Sequence, residues 1–170
     1  MEILLIGYMG SGKSTIGNYI SKKMKLEFID LDNYIEEKEK MSIPDIFATK
    51  GEIYFRLQEA KYVREILDTK TNYVLSLGGG TPCYGENIKA ILESNAISVY
   101  LKASIPTLKE RLENGKANRP LIANLDDDQL LEYIGKHIFE RAPFYEQSKL
   151  KIAVDQKSLE QVYCDILVQL

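Results

Sequence analysis

Short apolar runs alternate with amphipathic stretches from the first residues onward. Ile3–Ile6 reads as a buried strand, and Ile16, Ile20 and Met24 place an apolar stripe on a helix after it. Glu27–Ile29 is a second, shorter strand candidate. Tyr73–Leu77 and Ala96–Leu101 are stronger, each bounded by turn or charged residues, and Leu150–Val154 is a fifth. The clearest helical periodicity comes last, in Leu159, Val162, Tyr163, Ile166, Leu167 and Leu170. Strands separated by helices imply a parallel sheet covered on both faces, an α/β fold of three αβα layers around five strands. Ligands of such sheets bind beyond the carboxyl ends of the strands.

With 170 residues and neither repeats nor a Pro/Gly/Ser-rich linker, one domain over 1–170 is expected. Its 45% hydrophobic and 28% charged residues are ordinary for a globular protein. A net charge of −3 argues against a nucleic-acid-binding stripe or a polybasic membrane surface, so neither partner is expected. Cys83 and Cys164 lie too far apart for a metal-ligand pair and read as reduced thiols. Ile3–Ile6 is too short to span a membrane and no leader pattern is visible, so a cytoplasmic location is expected.

Candidate chemistry starts where the first strand ends. Gly7-Tyr8-Met9-Gly10-Ser11-Gly12-Lys13-Ser14 matches the phosphate-loop pattern G-x-x-x-x-G-K-[ST], with a strand before it and a helix after it. Its glycines let successive N–H groups turn into one concavity for phosphate oxygens, and the helix dipole adds to the attraction. Gly10, Ser11, Gly12, Lys13, Ser14 and Thr15 are therefore the expected nucleotide-binding residues. Lys13 would reach the β- and γ-phosphates, and the Ser14 hydroxyl would coordinate Mg²⁺. No N-K-x-D run of a regulatory GTPase is present, and the chain is short for an ATPase motor. A small-molecule kinase is the leading reading.

Three further groups address the acceptor. Asp30 and Asp32 leave the second strand at i and i+2, a spacing that turns both into one crevice; one can serve Mg²⁺ and the other hold or deprotonate a hydroxyl. The competing reading is an aspartate cap for a helix starting near Asn33. Gly51-Glu52-Ile53-Tyr54-Phe55-Arg56-Leu57-Gln58-Glu59 sets Phe55 and Arg56 on a helix. Gly78-Gly79-Gly80 follow the third strand and permit close approach of a ligand to backbone.

In this order and spacing, the phosphate loop, the D-L-D pair, G-E-x-x-F-R-x-x-E and G-G-G resemble the shikimate kinases, a family of the nucleoside-monophosphate-kinase structural group. Asn118-Arg119-Pro120-Leu121 and Arg141-Ala142-Pro143-Phe144-Tyr145 extend the resemblance over essentially the whole chain. It implies transfer of the γ-phosphate of ATP to the 3-hydroxyl of shikimate, on the route to chorismate and aromatic amino acids, with Mg²⁺ and in a monomer. Asp32 matches the family's hydroxyl-binding aspartate, a candidate base, and Asp30 the aspartate associated with Mg²⁺. Arg56 and Arg141 match the arginines that hold the substrate carboxylate, and Gly79, within Gly78–Gly80, a backbone donor to a hydroxyl. Phe47, Phe55, Pro120 and Leu121 fall where the family packs apolar groups around the ring. Planar arginine forks suit a carboxylate, and an aspartate suits vicinal hydroxyls.

The resemblance further reads 32–60 as the substrate-binding segment and 113–124 as a lid, with Gly115 and Pro120 breaking regular structure. Arg119 would bring positive charge to the transferring phosphoryl group, while Lys116 is not well placed. Arg111 resembles an arginine stacked on adenine, and Asp155-Gln156-Lys157 would border the base. Two other readings compete: a related kinase acting on gluconate or a nucleotide, and a non-catalytic ATP-binding regulator. His137 is read as a surface or packing residue, and Glu36–Lys40 as a solvated helix face.

Overall fold

A computed structural model of the chain describes residues 1–114 and 122–170. All five strand candidates form strands: β1 (Glu2–Ile6), β2 (Glu27–Asp30), β3 (Tyr73–Ser76), β4 (Ile97–Lys102) and β5 (Leu150–Ala153). They make one parallel sheet in the order β2-β3-β1-β4-β5. Between them run α1 (Lys13–Met24), α2 (Leu31–Glu39), α3 (Ile43–Thr69), α4 (Asn87–Glu93), α5 (Ile105–Glu113) and α6 (Asp127–Tyr145), and α7 (Leu159–Leu167) closes the chain.

Alternation along the central strand divides the core. Leu4 and Ile6 face Ile46, Phe55, Val63, Leu108, Leu130 and Ile134 from the helices on one side. Ile3 and Leu5 face Ile16 and Ile20 of α1 and Val162 and Ile166 of α7 on the other. The three expected layers are present. On α7 the apolar stripe is wider than the face it buries: Val162 and Ile166 are covered, whereas Leu159, Leu167 and Leu170 stay exposed.

Two local readings need correction. The helix after β2 begins at Leu31, not near Asn33, and its cap is Asp30, whose carboxylate accepts from the N–H groups of Asp32 and Asn33. Asp32 therefore stands in the first turn of a helix rather than on an extended strand, and the i, i+2 strand argument does not describe it. Nor is Glu36–Lys40 simply a solvated face. The Glu39 side chain is only 9% exposed and accepts hydrogen bonds from Tyr54 (2.6 Å) and Tyr62 (2.7 Å) of α3. Those tyrosines flank it because α3 departs from helical geometry at Gly51 and runs on past α2. Both cysteines are free, and among the described residues no helix is long and apolar enough to cross a membrane.

Candidate active site

The β1–α1 turn sits at the carboxyl end of the central strand. Side chains cap the first turns of α2, α3, α5, α6 and α7, but α1 opens on Gly12 with no side-chain cap. Its first N–H groups are left for an external acceptor. Gly10 (φ 82°) and Gly12 (φ 96°) take left-handed backbone that other residues avoid, which is what points those groups inward. The Lys13 ammonium donates to the carbonyls of Gly7 (2.8 Å) and Tyr8 (3.0 Å), folding the lysine back over the loop. Arg111 donates to Gly10 O (3.2 Å) and Ser11 O (3.3 Å), bracing the loop from α5.

A crevice of about 620 Å³ opens above this loop. Gly10, Gly12, Lys13, Ser14, Thr15 and Arg111 line it, as do Asp30, Asp32, Gly78 and Gly79. Beyond the phosphate loop its wall is Val154, Lys157, Leu159 and Val162. Gln156 lies between two of these, in left-handed backbone (φ 53°), and is not among the lining residues. Of the Asp155-Gln156-Lys157 stretch expected to border adenine, only Lys157 lines the crevice. Asp155 is turned to α5, accepting from Ser104 N (2.9 Å) and Ser104 Oγ (2.8 Å).

Ser14 Oγ donates to Asp30 Oδ2 at 2.9 Å, while the other Asp30 oxygen caps α2. Asp32 carries the most informative charge. Burial, then the neighbouring Asp30 and Glu59 carboxylates, push its carboxyl up from an ordinary 3.8 to about 6, with Lys13 opposing the rise. Its surface is nonetheless open to water in the crevice. Protein atoms crowd the group without sealing it.

Three functional side chains converge on the glycine turn. A side chain at Gly78 would begin 3.3 Å from Asp32 Oδ1. One at Gly79 would lie 3.6 Å from Arg141 Nη1, and one at Gly80 3.2 Å from Arg56 Nη1. Asp32, Arg141 and Arg56 thus stand against successive residues of the turn. Arg56 is held by Glu59 (Nη1 to Oε2, 2.9 Å) and lies over the Tyr84 ring, 3.8 Å from its centroid. Glu59 is buried, and its second oxygen accepts from Thr81 Oγ1 at 2.6 Å. Phe47 and Phe55 pack with ring centroids 4.8 Å apart.

The sequence-expected residues Lys13, Ser14, Asp30, Asp32, Arg56, Gly78–Gly80, Arg111 and Arg141 thus gather at one end of the sheet. Arg119, Lys116, Pro120 and Leu121 lie outside the described residues, as does most of the 113–124 segment. Glu59 and Thr81, which hold Arg56, were not singled out from the sequence, although Glu59 ends the G-E-x-x-F-R-x-x-E motif. His137, read as a packing residue, hydrogen-bonds the phosphate-loop residue Tyr8.

Residues 9–170 match the family model described as shikimate kinase. The chain belongs to the shikimate kinase family. A shikimate kinase from Flavobacterium johnsoniae is 46% identical over 98% of this chain and 96% of its own length. The crystal structure of the shikimate kinase from Bacteroides thetaiotaomicron superposes with a TM-score of 0.91 at 33% identity, covering 100% of this chain and 99% of that one. That of the Acinetobacter baumannii enzyme in complex with shikimate does so with a TM-score of 0.86 at 29% identity, over 98% and 90%. Family membership makes the chain an ATP-dependent kinase.

Proposed function

We propose that this shikimate kinase moves the γ-phosphoryl group of ATP to the 3-hydroxyl of shikimate in the crevice between the phosphate loop and the Gly78–Gly80 turn. The observation that carries the residue assignment is the gathering of Asp32, Arg56 and Arg141 around that turn, one carboxylate and two guanidinium groups against three successive glycines. Arg56 and Arg141 hold the substrate carboxylate through paired, charge-assisted bonds. Asp32 accepts from the ring hydroxyls and takes the proton of the 3-hydroxyl as its oxygen bonds to phosphorus and ADP departs. A carboxyl near 6 is half-way tuned to that task at neutral pH. N–H groups of the loop and Lys13 bind the β- and γ-phosphates and stabilise charge on the transferring group.

Ser14 and Asp30 are the residues that would hold Mg²⁺. Their oxygens are 2.9 Å apart, hard donors beside the phosphate site. No cluster of three His, Cys, Asp or Glu side chains suited to a metal exists among the described residues. That fits an ion held by one or two protein oxygens together with phosphates and water. When bound, Mg²⁺ supplies charge neutralisation between the β- and γ-phosphates. Residues 32–60, which supply Asp32 and Arg56, serve as the acceptor-binding segment, and 113–124, with Arg119, serves as the lid. A monomer in the cytosol is the proposed working unit, and light scattering should return one chain's mass of 19.4 kDa.

A coupled ADP-release assay with shikimate, gluconate and AMP in parallel tests the acceptor. Turnover is expected with shikimate alone; turnover of gluconate but not shikimate overturns the assignment. Arg141→Ala is expected to raise the KM for shikimate by roughly a hundredfold, the loss of one charged contact of about 2–3 kcal/mol, and to change the KM for ATP little. An unchanged shikimate KM would remove Arg141 from the carboxylate site.

A further inference from the structure

Arg141 stands on α6 between two side chains that tie the helix to the nucleotide end of the sheet. One turn before it, His137 Nδ1 is hydrogen-bonded to the Tyr8 hydroxyl at 3.0 Å. One turn after it, the Tyr145 hydroxyl donates to the carbonyl of Gly79. The spacing i−4, i, i+4 puts all three on one helix face. Between the anchors, Pro143 removes one rung from a helix that is otherwise continuous: it has no N–H to give the carbonyl of Phe139. This stretch of α6 is held less by its own ladder and more by what its face touches.

Tyr8 is the contact that matters. It is the second residue of the phosphate loop, 1% exposed, and the Arg141 guanidinium lies 5.6 Å from its ring centroid. Its carbonyl accepts from Lys13 at 3.0 Å. One residue thus touches the lysine that serves the donor phosphates and the arginine that serves the acceptor. A hydroxyl at the far edge of a buried ring needs a partner, and His137 is that partner. Burial, then the Arg141 charge, hold the imidazole below its ordinary pKa, which keeps it neutral and able to accept. The Tyr133 ring packs edge-on against it at 4.2 Å and limits its rotation.

We propose that Tyr8 and His137 are positioning residues for the acceptor: the hydrogen bond between them fixes where the Arg141 guanidinium stands beside Gly79. The inference rests on the reading of Arg141 as a carboxylate ligand. Neither residue is among those lining the crevice. With the bond gone, the Tyr8 ring and the α6 turn that carries Arg141 shift independently, and the paired geometry that a carboxylate requires is lost first.

Steady-state kinetics of Tyr8→Phe, His137→Leu, His137→Gln and the Tyr8→Phe/His137→Leu double variant test this, with Arg141→Ala measured beside them. Tyr8→Phe should raise the shikimate KM roughly three- to tenfold, with the ATP KM and kcat changed by less than about twofold. His137→Leu, which strands a buried hydroxyl, should do at least as much, and the double variant no more than the worse single change. His137→Gln, which keeps an acceptor, should return most of the loss. Wild-type kinetics in Tyr8→Phe, equal rises in both KM values, or fully additive effects would each overturn the inference. If Arg141→Ala leaves the shikimate KM unchanged, the carboxylate reading fails instead; if it raises that KM while Tyr8→Phe does not, only the positioning role fails.

Discussion

Lys13→Ala is expected to lower kcat by about a hundred- to a thousandfold while the protein still folds. The ammonium group is the one mobile cation that the phosphate loop itself contributes, and its charge counts most when negative charge spreads over the transferring phosphoryl group. In the structure it donates to Gly7 O and Tyr8 O, and its removal leaves those two carbonyls without that donor. Both carbonyls belong to buried residues, so a loss of about 2–4 kcal/mol is expected, still within the margin of a domain this size. A second consequence separates a charge effect from a shape effect. Lys13 opposes the rise in the Asp32 pKa, so without it Asp32 protonates at higher pH. The acid limb of residual turnover should move upward in Lys13→Ala, measured by single-turnover rates across pH 5 to 8 against thermal melts on the same samples. Full activity in the alanine variant would exclude the phosphate role, and a lost melting transition would show that the loop needs the lysine to fold.

Asp32→Asn carries the second large effect and works in opposite directions on rate and stability. The amide cannot take a proton, and turnover should fall by roughly a hundred- to ten-thousandfold. In the wild type, kcat/KM should fall below about pH 6, where the carboxyl protonates. The pH limb should vanish from whatever activity the asparagine variant retains. Stability follows from the same shift. The folded pKa of about 6 lies above the ordinary 3.8, so the unfolded chain gives up this proton more readily. The native state is favoured while the group is protonated, and that advantage is lost as pH rises from about 4 through 6. At pH 7 and above, the ionised Asp32 works against the fold. Because the crevice is open to water, screening reduces the penalty to about 1 kcal/mol. Asp32→Asn should therefore melt a few degrees higher than wild type at pH 7.5 and alike at pH 4. A variant less stable at pH 7.5 would show that Asp32 is held by contacts the carboxylate makes, not strained by its charge.

Much of this site is legible along the chain because its parts are local. The phosphate loop needs only glycines, a lysine and a serine at fixed spacing between a strand and a helix. Asp30 ends the next strand and Asp32 follows it, and Gly78–Gly80 follow the one after. A parallel sheet brings all carboxyl ends to one side, so motifs placed there by sequence must meet. The three inner strands were readable for a similar reason: β1, β3 and β4 are short apolar runs, since both faces of the sheet are covered there, whereas the edge strands β2 and β5 mix apolar and charged residues.

Other features depend on residues far apart in sequence. Glu39 reads as one charge in a solvated run until α3, bent at Gly51, sets Tyr54 and Tyr62 against it. Which aspartate caps α2 turned on a shift of two residues in the helix start. Local pattern does not resolve such a shift, because both carboxylates suit a first turn. Glu59 meets Arg56 locally at i, i+3, but its second oxygen is held by Thr81 from beyond β3. Tyr8 and His137 are 129 positions apart, and a single histidine on a helix gives no sign of the tyrosine it will meet. By itself, then, the sequence determined the donor loop, the sheet and the kinds of side chain that would answer an acid bearing hydroxyls. The tertiary structure decided which of those side chains are held, and by what, because the partners that fix a charged group in a crevice come from whichever helix packs against it.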